Sequence, residues 1–468
     1  MTSTQKGNST STAVRSKAGV PPIVLLLLGL GLVMGVSWLR SHPFSQASKS
    51  MNSGSLEDRM SLGEQLLVEA EATPEKRAGV AAFARGDFDG AIAQFEASLQ
   101  KRQNDPETLI YWNNARAGDS ALRIAVSVPV GSNLNVAQEI LRGVAQAQDE
   151  VNQNGGINGV LLQVEIANDE NNPKIVQQVA TELVKDSRIL AVVGHNASNA
   201  SLVAAPVYQQ GQLVMVTPTS FANNLSGFGS YIFRATPTIR LMAEPLAEHV
   251  VGAARKSNIA VCYDSQAPDN ISFKDEFVAA LVAKGGKLVP TVCDFSAPTF
   301  NAATAIAQAV SSGADGLLIS PHIDRLDRAI DLARANQGRL ALFGSPTLYT
   351  IKTPQSGQAD VNGLVLPVPW HPTAFSDHPF PASAKQRWGG TVNWRTAMAY
   401  DASRAIITGL GQDTTRSGLQ AVLRSPSFSA QGAGDPVKFL PSGDRLGQAV
   451  LVQIQPSGAN YDFVPIRP

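Results

Sequence analysis

The residues best placed to do chemistry in this chain are hydroxyls at the ends of short apolar runs. Ser198 follows the run 189–194 and opens a helical pattern, so its hydroxyl and the neighbouring free N–H groups form a cradle for an anion. The same residue could equally serve as an ordinary helix N-cap. Thr219 and Ser220 follow the next run, 213–216, in the same way. Six histidines are scattered, and none falls in an HExxH or a CxxC…H pattern. Cys262 and Cys293 are too few for a disulfide framework or a four-thiolate zinc site. They read as two buried thiols, with a disulfide as the alternative in an oxidising compartment. No GxSxG elbow, P-loop or paired-carboxylate motif is present, so neither an enzyme nor a cofactor is expected. Asn154-Gly155-Gly156-Ile157-Asn158-Gly159 lies after a helical pattern and before a strand-like one, the reverse of a phosphate-binding loop, and reads as a turn.

The elements that must position these residues come from a chain of 468 residues, long enough for two to four domains. Lys+Arg and Asp+Glu both number 38, and charged residues make up only 16%, which excludes a nucleic acid as partner. Residues 1–17 are polar and carry Lys6, Arg15 and Lys17 without an acid, a short cytoplasmic tail. Residues 18–39 carry no charge and would reach about 33 Å as a helix, enough to cross a bilayer. With Arg40 at its end, the segment 18–40 is expected to be an uncleaved transmembrane anchor with the bulk of the chain outside. Residues 41–61 read as a Ser-rich flexible linker.

From 62 to 118 the pattern is helical. Gly79-x3-Phe83-x2-Gly86-Asp87-Phe88-x2-Ala91-x3-Phe95-x3-Leu99 resembles a tetratricopeptide repeat, and Pro106-Glu107-x3-Tyr111-x2-Asn114-Ala115 resembles the opening of another. From 119 to 468 apolar β-branched runs alternate with helical stretches in two successive series, the signature of parallel sheets. The stretch 363–369 is expected to cross back between them, and 392–411 to rejoin the first. The ending 437–455 reads as a hairpin turned at Pro441-Ser442-Gly443-Asp444.

Several motifs in this region fall in the order of one family. Gly143-x-Ala145 and Val151-Asn152-x2-Gly155-Gly156-Ile157-Asn158-Gly159 resemble the first helix and turn of the branched-chain amino-acid (leucine-binding-like) type I periplasmic substrate-binding proteins of ABC transporters. Val193-Gly194-His195-Asn196-Ala197-Ser198 and Val216-Thr217-Pro218-Thr219-Ser220 resemble the next two strand ends. Arg234-Ala235-Thr236-Pro237, Ala399-Tyr400-Asp401-Ala402 and Val437-Lys438-Phe439-x2-Ser442-Gly443-Asp444-Arg445 follow in order. The resemblance spans about 121–455. It implies an α/β Venus-flytrap fold of two Rossmann-like parallel sheets, with lobe 1 at about 121–245 and 371–435 and lobe 2 at about 246–362. Hinge crossings are then expected near 245, 365 and 435.

The resemblance also implies a ligand cleft between the lobes, at the carboxyl ends of the strands. Ala197, Ser198, Thr219 and Ser220 would hold a carboxylate there. Asp269 stands where family amino-acid binders place a tyrosine, and it could supply a charge or sit in an Asx turn. Pro346 occupies the place of an acid that such binders often carry. His322 and Asp324 follow the run GLLIS and could face the cleft. The implied function is capture of a small polar ligand, an amino acid or related compound, for an ABC permease. The alternative is a regulator or sensor on a flytrap scaffold, since helical repeats before the lobes also resemble the layout of penicillin-binding-protein activators.

Overall fold

The computed structural model describes residues 55–70 and 72–466, so the expected tail and the expected anchor at 18–40 lie outside the described residues. Among the described residues no helix is long and apolar enough to cross a membrane. The chain enters on a two-residue strand, β1 (Met60–Ser61), where the reading of 41–61 as linker anticipates a flexible tether. Three helices follow, α1 (Pro74–Phe83), α2 (Phe88–Lys101) and α3 (Pro106–Ala117). Asp87 and Asp105 cap the latter two by accepting from Gly90 N–H and Thr108 N–H. The Lys76 ammonium is buried between Asp105 (2.8 Å) and Glu107 (2.7 Å). Glu107 in turn accepts from the backbone N–H groups of Leu67 and Val68, which ties the entering loop to the helices.

The first lobe is built on β2 (Leu122–Val128), α4 (Leu134–Gln153), β3 (Leu162–Asn168), β4 (Ile189–Val193), α5 (Ser198–Gln210), β5 (Val214–Thr217) and β6 (Ile232–Pro237). The second begins with α6 (Ile239–Val251), β7 (Asn258–Tyr263), α7 (Pro268–Ala283), β8 (Lys287–Leu288), β9 (Gly316–Ser320), β10 (Ala341–Gly344) and β11 (Val365–Val368). The chain then returns through α8 (Trp394–Leu410) to β12 (Asp444–Arg445), and finally crosses to β13 (Val450–Ser457) and β14 (Asn460–Pro465). Most of these strands are buried on both faces, which explains why they read as unbroken apolar runs rather than alternating ones.

Two seven-stranded sheets result, in the orders β1-β3-β2-β4-β5-β6-β12 and β14-β13-β11-β10-β9-β7-β8. They are mixed rather than purely parallel. β1 runs antiparallel to β3, and β13 runs antiparallel to both β11 and β14. β1 pairs with β3 only at Ile166 and Ala167. Further along the same edge the Asn114 side chain stands in for a strand, accepting from Val164 N–H (2.9 Å) and donating to Val164 O (2.7 Å). The helical segment is therefore fastened to the first sheet, where it covers an edge that would otherwise expose unpaired backbone.

The crossings lie elsewhere than expected. The first falls at 237–239, because α6 packs on α7 of the second lobe. The second follows β11, itself a strand of the second sheet. The third follows Arg445 rather than residue 435, since β12 pairs in parallel with β6. Buried charge hides β12 from a hydrophobicity pattern. Asp444 is paired with Arg234 (2.6 Å) and Arg445 with Asp401. The expected turn at 440–443 is present, with an antiparallel bridge between Phe439 and Arg445 across it, and a longer hairpin, β13–β14, turns at Ser457–Asn460.

Cys262 and Cys293 form a disulfide, correcting the reading of two free thiols. A bridge between Tyr263 and Asp294 lays the two segments side by side and brings the Cα atoms to 4.6 Å. The crosslink closes a loop of sequence separation 31. On the chain-entropy account it contributes roughly 3–4 kcal/mol. Replacing both cysteines by alanine should lower the urea midpoint accordingly, and an unchanged midpoint would show that the crosslink does not hold this lobe.

Candidate functional site

The carboxyl ends of both sheets face each other, and a cavity of about 30 Å³ lies between them. The first lobe contributes Asn196, Ala197, Thr219 and Phe221 from the loops after β4 and β5. The second contributes Asp269 from the start of α7, His322 and Ile323 from the loop after β9, and Thr347 from the loop after β10. Trp394 and Arg395, the first two residues of α8, close the ring. A larger open groove of about 640 Å³ adjoins it and shares Ile323 and Arg395. The inner space has the size of one or two waters. An amino acid does not fit within it in this arrangement of the lobes.

Four of the six residues singled out from the sequence, Ala197, Thr219, Asp269 and His322, line this one cavity. Ser198 and Ser220 do not line it. Both are buried, and their hydroxyls are engaged in the wall behind it. Ser198 Oγ accepts from the backbone N–H groups of Phe221 (3.1 Å) and Ala222 (3.2 Å). Ser220 Oγ is 2.8 Å from Ser201 Oγ and donates to His195 O. Thr219 Oγ1 donates to Asn196 O at 2.7 Å. His195 beneath them is fixed by Asp169 at Nδ1 (2.6 Å) and Tyr208 at Nε2 (3.1 Å). Together these bonds join the loops after β4 and β5 into one rigid wall.

The opposite wall is charged. Burial raises the Asp269 carboxyl above the usual range, against the opposing field of His322. For His322 burial disfavours the charged form. The hydrogen bond with Asp324 and the fields of Asp269, Asp324 and Asp264 outweigh it and hold the imidazole above its ordinary value. His322 Nδ1 lies 3.3 Å from both the N and the Oδ2 of Asp324, while its Nε2 is buried without a partner. Trp394 Nε1 is likewise buried without a partner. Arg395 is only 4% exposed. Its guanidinium stacks on Trp394 at 4.5 Å and donates to Tyr349 O at 2.6 Å across the cleft. Burial pushes it down to about 10, against the fields of Glu139 and Tyr349.

Sequence reasoning missed Trp394, Arg395, Phe221 and Asn196. The signal was available for two of them. Helix N-termini lie at the same end of such a sheet as strand carboxyl ends, and Asn393 is a recognisable cap at the start of α8, accepting from Arg395 N–H. Among the described residues no group of His, Cys, Asp and Glu is arranged to hold a metal ion.

Comparison with known proteins places this geometry. Residues 121–459 match the family described as periplasmic binding protein. An amino acid binding protein of Pseudomonas aeruginosa is 30% identical over 143 residues, covering 30% of this chain and 38% of that protein. The Leu/Ile/Val-binding protein of Escherichia coli K12 is 29% identical over 161 residues, covering 34% and 43%. The chain thus spans about two fifths of the length of the curated relatives it matches. Among solved structures, a leucine binding protein from Thermotoga maritima superposes with a TM-score of 0.66 at 17% identity, over 74% of this chain and 99% of that one. A solute binding protein from Rhodopseudomonas palustris in complex with 3,4-dihydroxybenzoic acid gives 0.64 at 14% identity, over 74% and 97%.

The wall geometry predicts the outcome of a serine substitution. Ser198→Ala leaves two buried backbone N–H groups without their acceptor, at about 1–3 kcal/mol each. Urea denaturation should therefore show a clear loss of stability. A loss confined to a few tenths would mean that the hydroxyl is not holding the wall.

Proposed function

The chain belongs to the periplasmic binding protein family, and from that premise we propose that it captures a small polar ligand, an amino acid or related compound, for an ABC-type importer. It works outside the cytoplasm, held to the membrane by the segment 18–40. The ligand lies between the lobes, against Ala197 and Thr219 on one side and Asp269 and His322 on the other. Ser198 and Ser220 serve it through the wall their hydroxyls hold. The N–H of Ser198, at the first position of α5, has no helical partner and can meet a ligand acid group. The relatives' descriptions as Leu/Ile/Val-binding proteins support an amino-acid-like ligand. Binding is hinge closure, and the permease recognises the closed form.

One observation carries this reading. Two buried polar atoms, His322 Nε2 and Trp394 Nε1, lack any partner, and both residues line the cavity between the lobes. Buried polar groups are normally satisfied, and two unpartnered ones on the same cavity offer a polar ligand two bonding positions. A second reading has its own support. The inner cavity is so small that the cleft is nearly filled by side chains, as suits a regulator on a flytrap scaffold with tetratricopeptide-like helices at 62–118.

A thermal-shift screen of the full chain against amino acids, organic acids, amides and sugars separates the two. A true ligand at a hundred times its dissociation constant should add about 2.7 kcal/mol of stability. No shift with any class would favour the regulator.

A further inference from the structure

Resting on the binding-protein reading, we infer that the ligand is an organic carboxylate without a charged amino group, its acid neutralising the guanidinium of Arg395. The starting point is a charge imbalance. Other buried arginines have carboxylate partners: Arg234 with Asp444, Arg445 with Asp401, and Arg123 with Asp186 at 3.9 Å. Arg395 is as buried as these, and among the described residues no carboxylate lies within ion-pair distance of it. The nearest acid by its field, Glu139, is already held by Arg142 (2.7 Å) and by the Thr396 hydroxyl. The one hydrogen-bond acceptor Arg395 has is a neutral carbonyl, Tyr349 O. A buried cation without a counter-charge is costly, and a cavity beside it is where the counter-charge enters.

The rest of the lining is rich in hydrogen-bond donors. Trp394 Nε1 can only donate. His322 Nδ1 lies 3.3 Å from both the N and the Oδ2 of Asp324: a neutral ring accepting from the N–H and a protonated ring donating to the carboxylate both leave a proton on the unpartnered Nε2. The cavity therefore offers an indole N–H, an imidazole N–H and a guanidinium. Against these stands one acid, Asp269, whose charged form burial opposes and whose Oδ1 already accepts from Asn270. A carboxylate meets donors in this lining. Within the inner cavity an ammonium would have Asp269 as its one acid, with the unpaired guanidinium of Arg395 repelling it. Arg395 also lines the outer groove, so the ligand's body can extend there while its acid stays within reach of the guanidinium.

The test uses ligand pairs that share a carbon skeleton and differ in the amine: 4-methyl-2-oxopentanoate with leucine, 2-oxoglutarate with glutamate, and phenylpyruvate with phenylalanine. Dissociation constants for the full chain are measured by calorimetry at fixed pH and salt. At least one oxo acid should bind tenfold or more tighter than its amino counterpart. Arg395→Met should weaken that oxo acid roughly ten- to a hundredfold, as for the loss of a hydrogen bond to a charged group. Arg395→Lys, which keeps the charge but loses the planar fork, should fall between. This second variant and the wild-type ratio keep the test meaningful if the methionine variant folds poorly. Amino acids binding as tightly as their oxo acids, or an Arg395→Met chain binding the oxo acid like the parent, would overturn the inference while leaving the binding-protein reading standing. Failure of every oxo acid alongside binding of an amino acid, amide or sugar does the same. Silence of all solute classes removes both.

Discussion

Two largely parallel sheets set end to end leave a problem that the rest of this structure answers. At the carboxyl end of a parallel strand the ladder stops, and the loop that follows carries backbone groups with no strand to pair with. Here two such ends face each other across a narrow gap, so neither can rely wholly on solvent. The first lobe answers with hydroxyls. His195 O receives Thr217 Oγ1 at 2.8 Å and Ser220 Oγ at 3.3 Å, and Ser198 Oγ collects two backbone N–H groups. The second lobe answers with charge, through Asp264, Asp269, His322 and Asp324. A polar, rigid wall opposite a charged one is a consequence of that constraint before any ligand is considered.

Buried charge is used in two distinguishable ways. Lys76 with Asp105 and Glu107, Arg234 with Asp444, and Arg445 with Asp401 are closed sets in which each cation meets a carboxylate. They fasten pieces that hydrophobic pattern alone would leave loose, namely the helical segment before the lobes and the short strand β12. Such pairs contribute less to net stability than to a single arrangement of the chain, because desolvation offsets much of their attraction. Arg395 beside the cavity is not closed in this sense: among the described residues no carboxylate pairs with it. That contrast within one molecule is what separates the fastening charges from those of the cleft.

The alternation of strands and helices from 119 onward was legible because fully buried parallel strands write continuous apolar runs. The cleft was legible to the same extent, since strand ends define it, and Ala197, Thr219, Asp269 and His322 do meet there. What escaped notice shares a physical cause. β12 is a strand made of an aspartate and an arginine, so no periodicity marks it. β1 is two residues long and joins a strand a hundred residues away. The disulfide depends on a bridge between Tyr263 and Asp294, a contact that residue spacing cannot reveal. Ser198 and Ser220 were rightly placed at strand ends, but the direction of a hydroxyl is decided by its neighbours, here the backbone of 221–222 and the hydroxyl of Ser201.

The closed arrangement of the lobes is itself lightly held. Across the gap Arg395 reaches Tyr349 O, and Asn223 reaches Ser272 Oγ (3.2 Å) and Glu276 Oε1 (2.8 Å). The last two bonds are exposed, where a hydrogen bond contributes only about 0.5–1.5 kcal/mol net. Against them stand two unpartnered buried donors, each costing about 1–3 kcal/mol. A ligand shifts such an arrangement by as much as its affinity differs between the two states. On the proposed reading, a molecule that satisfies the donors in the closed form and cannot reach both walls in the open form supplies that difference, and closure then reports occupancy.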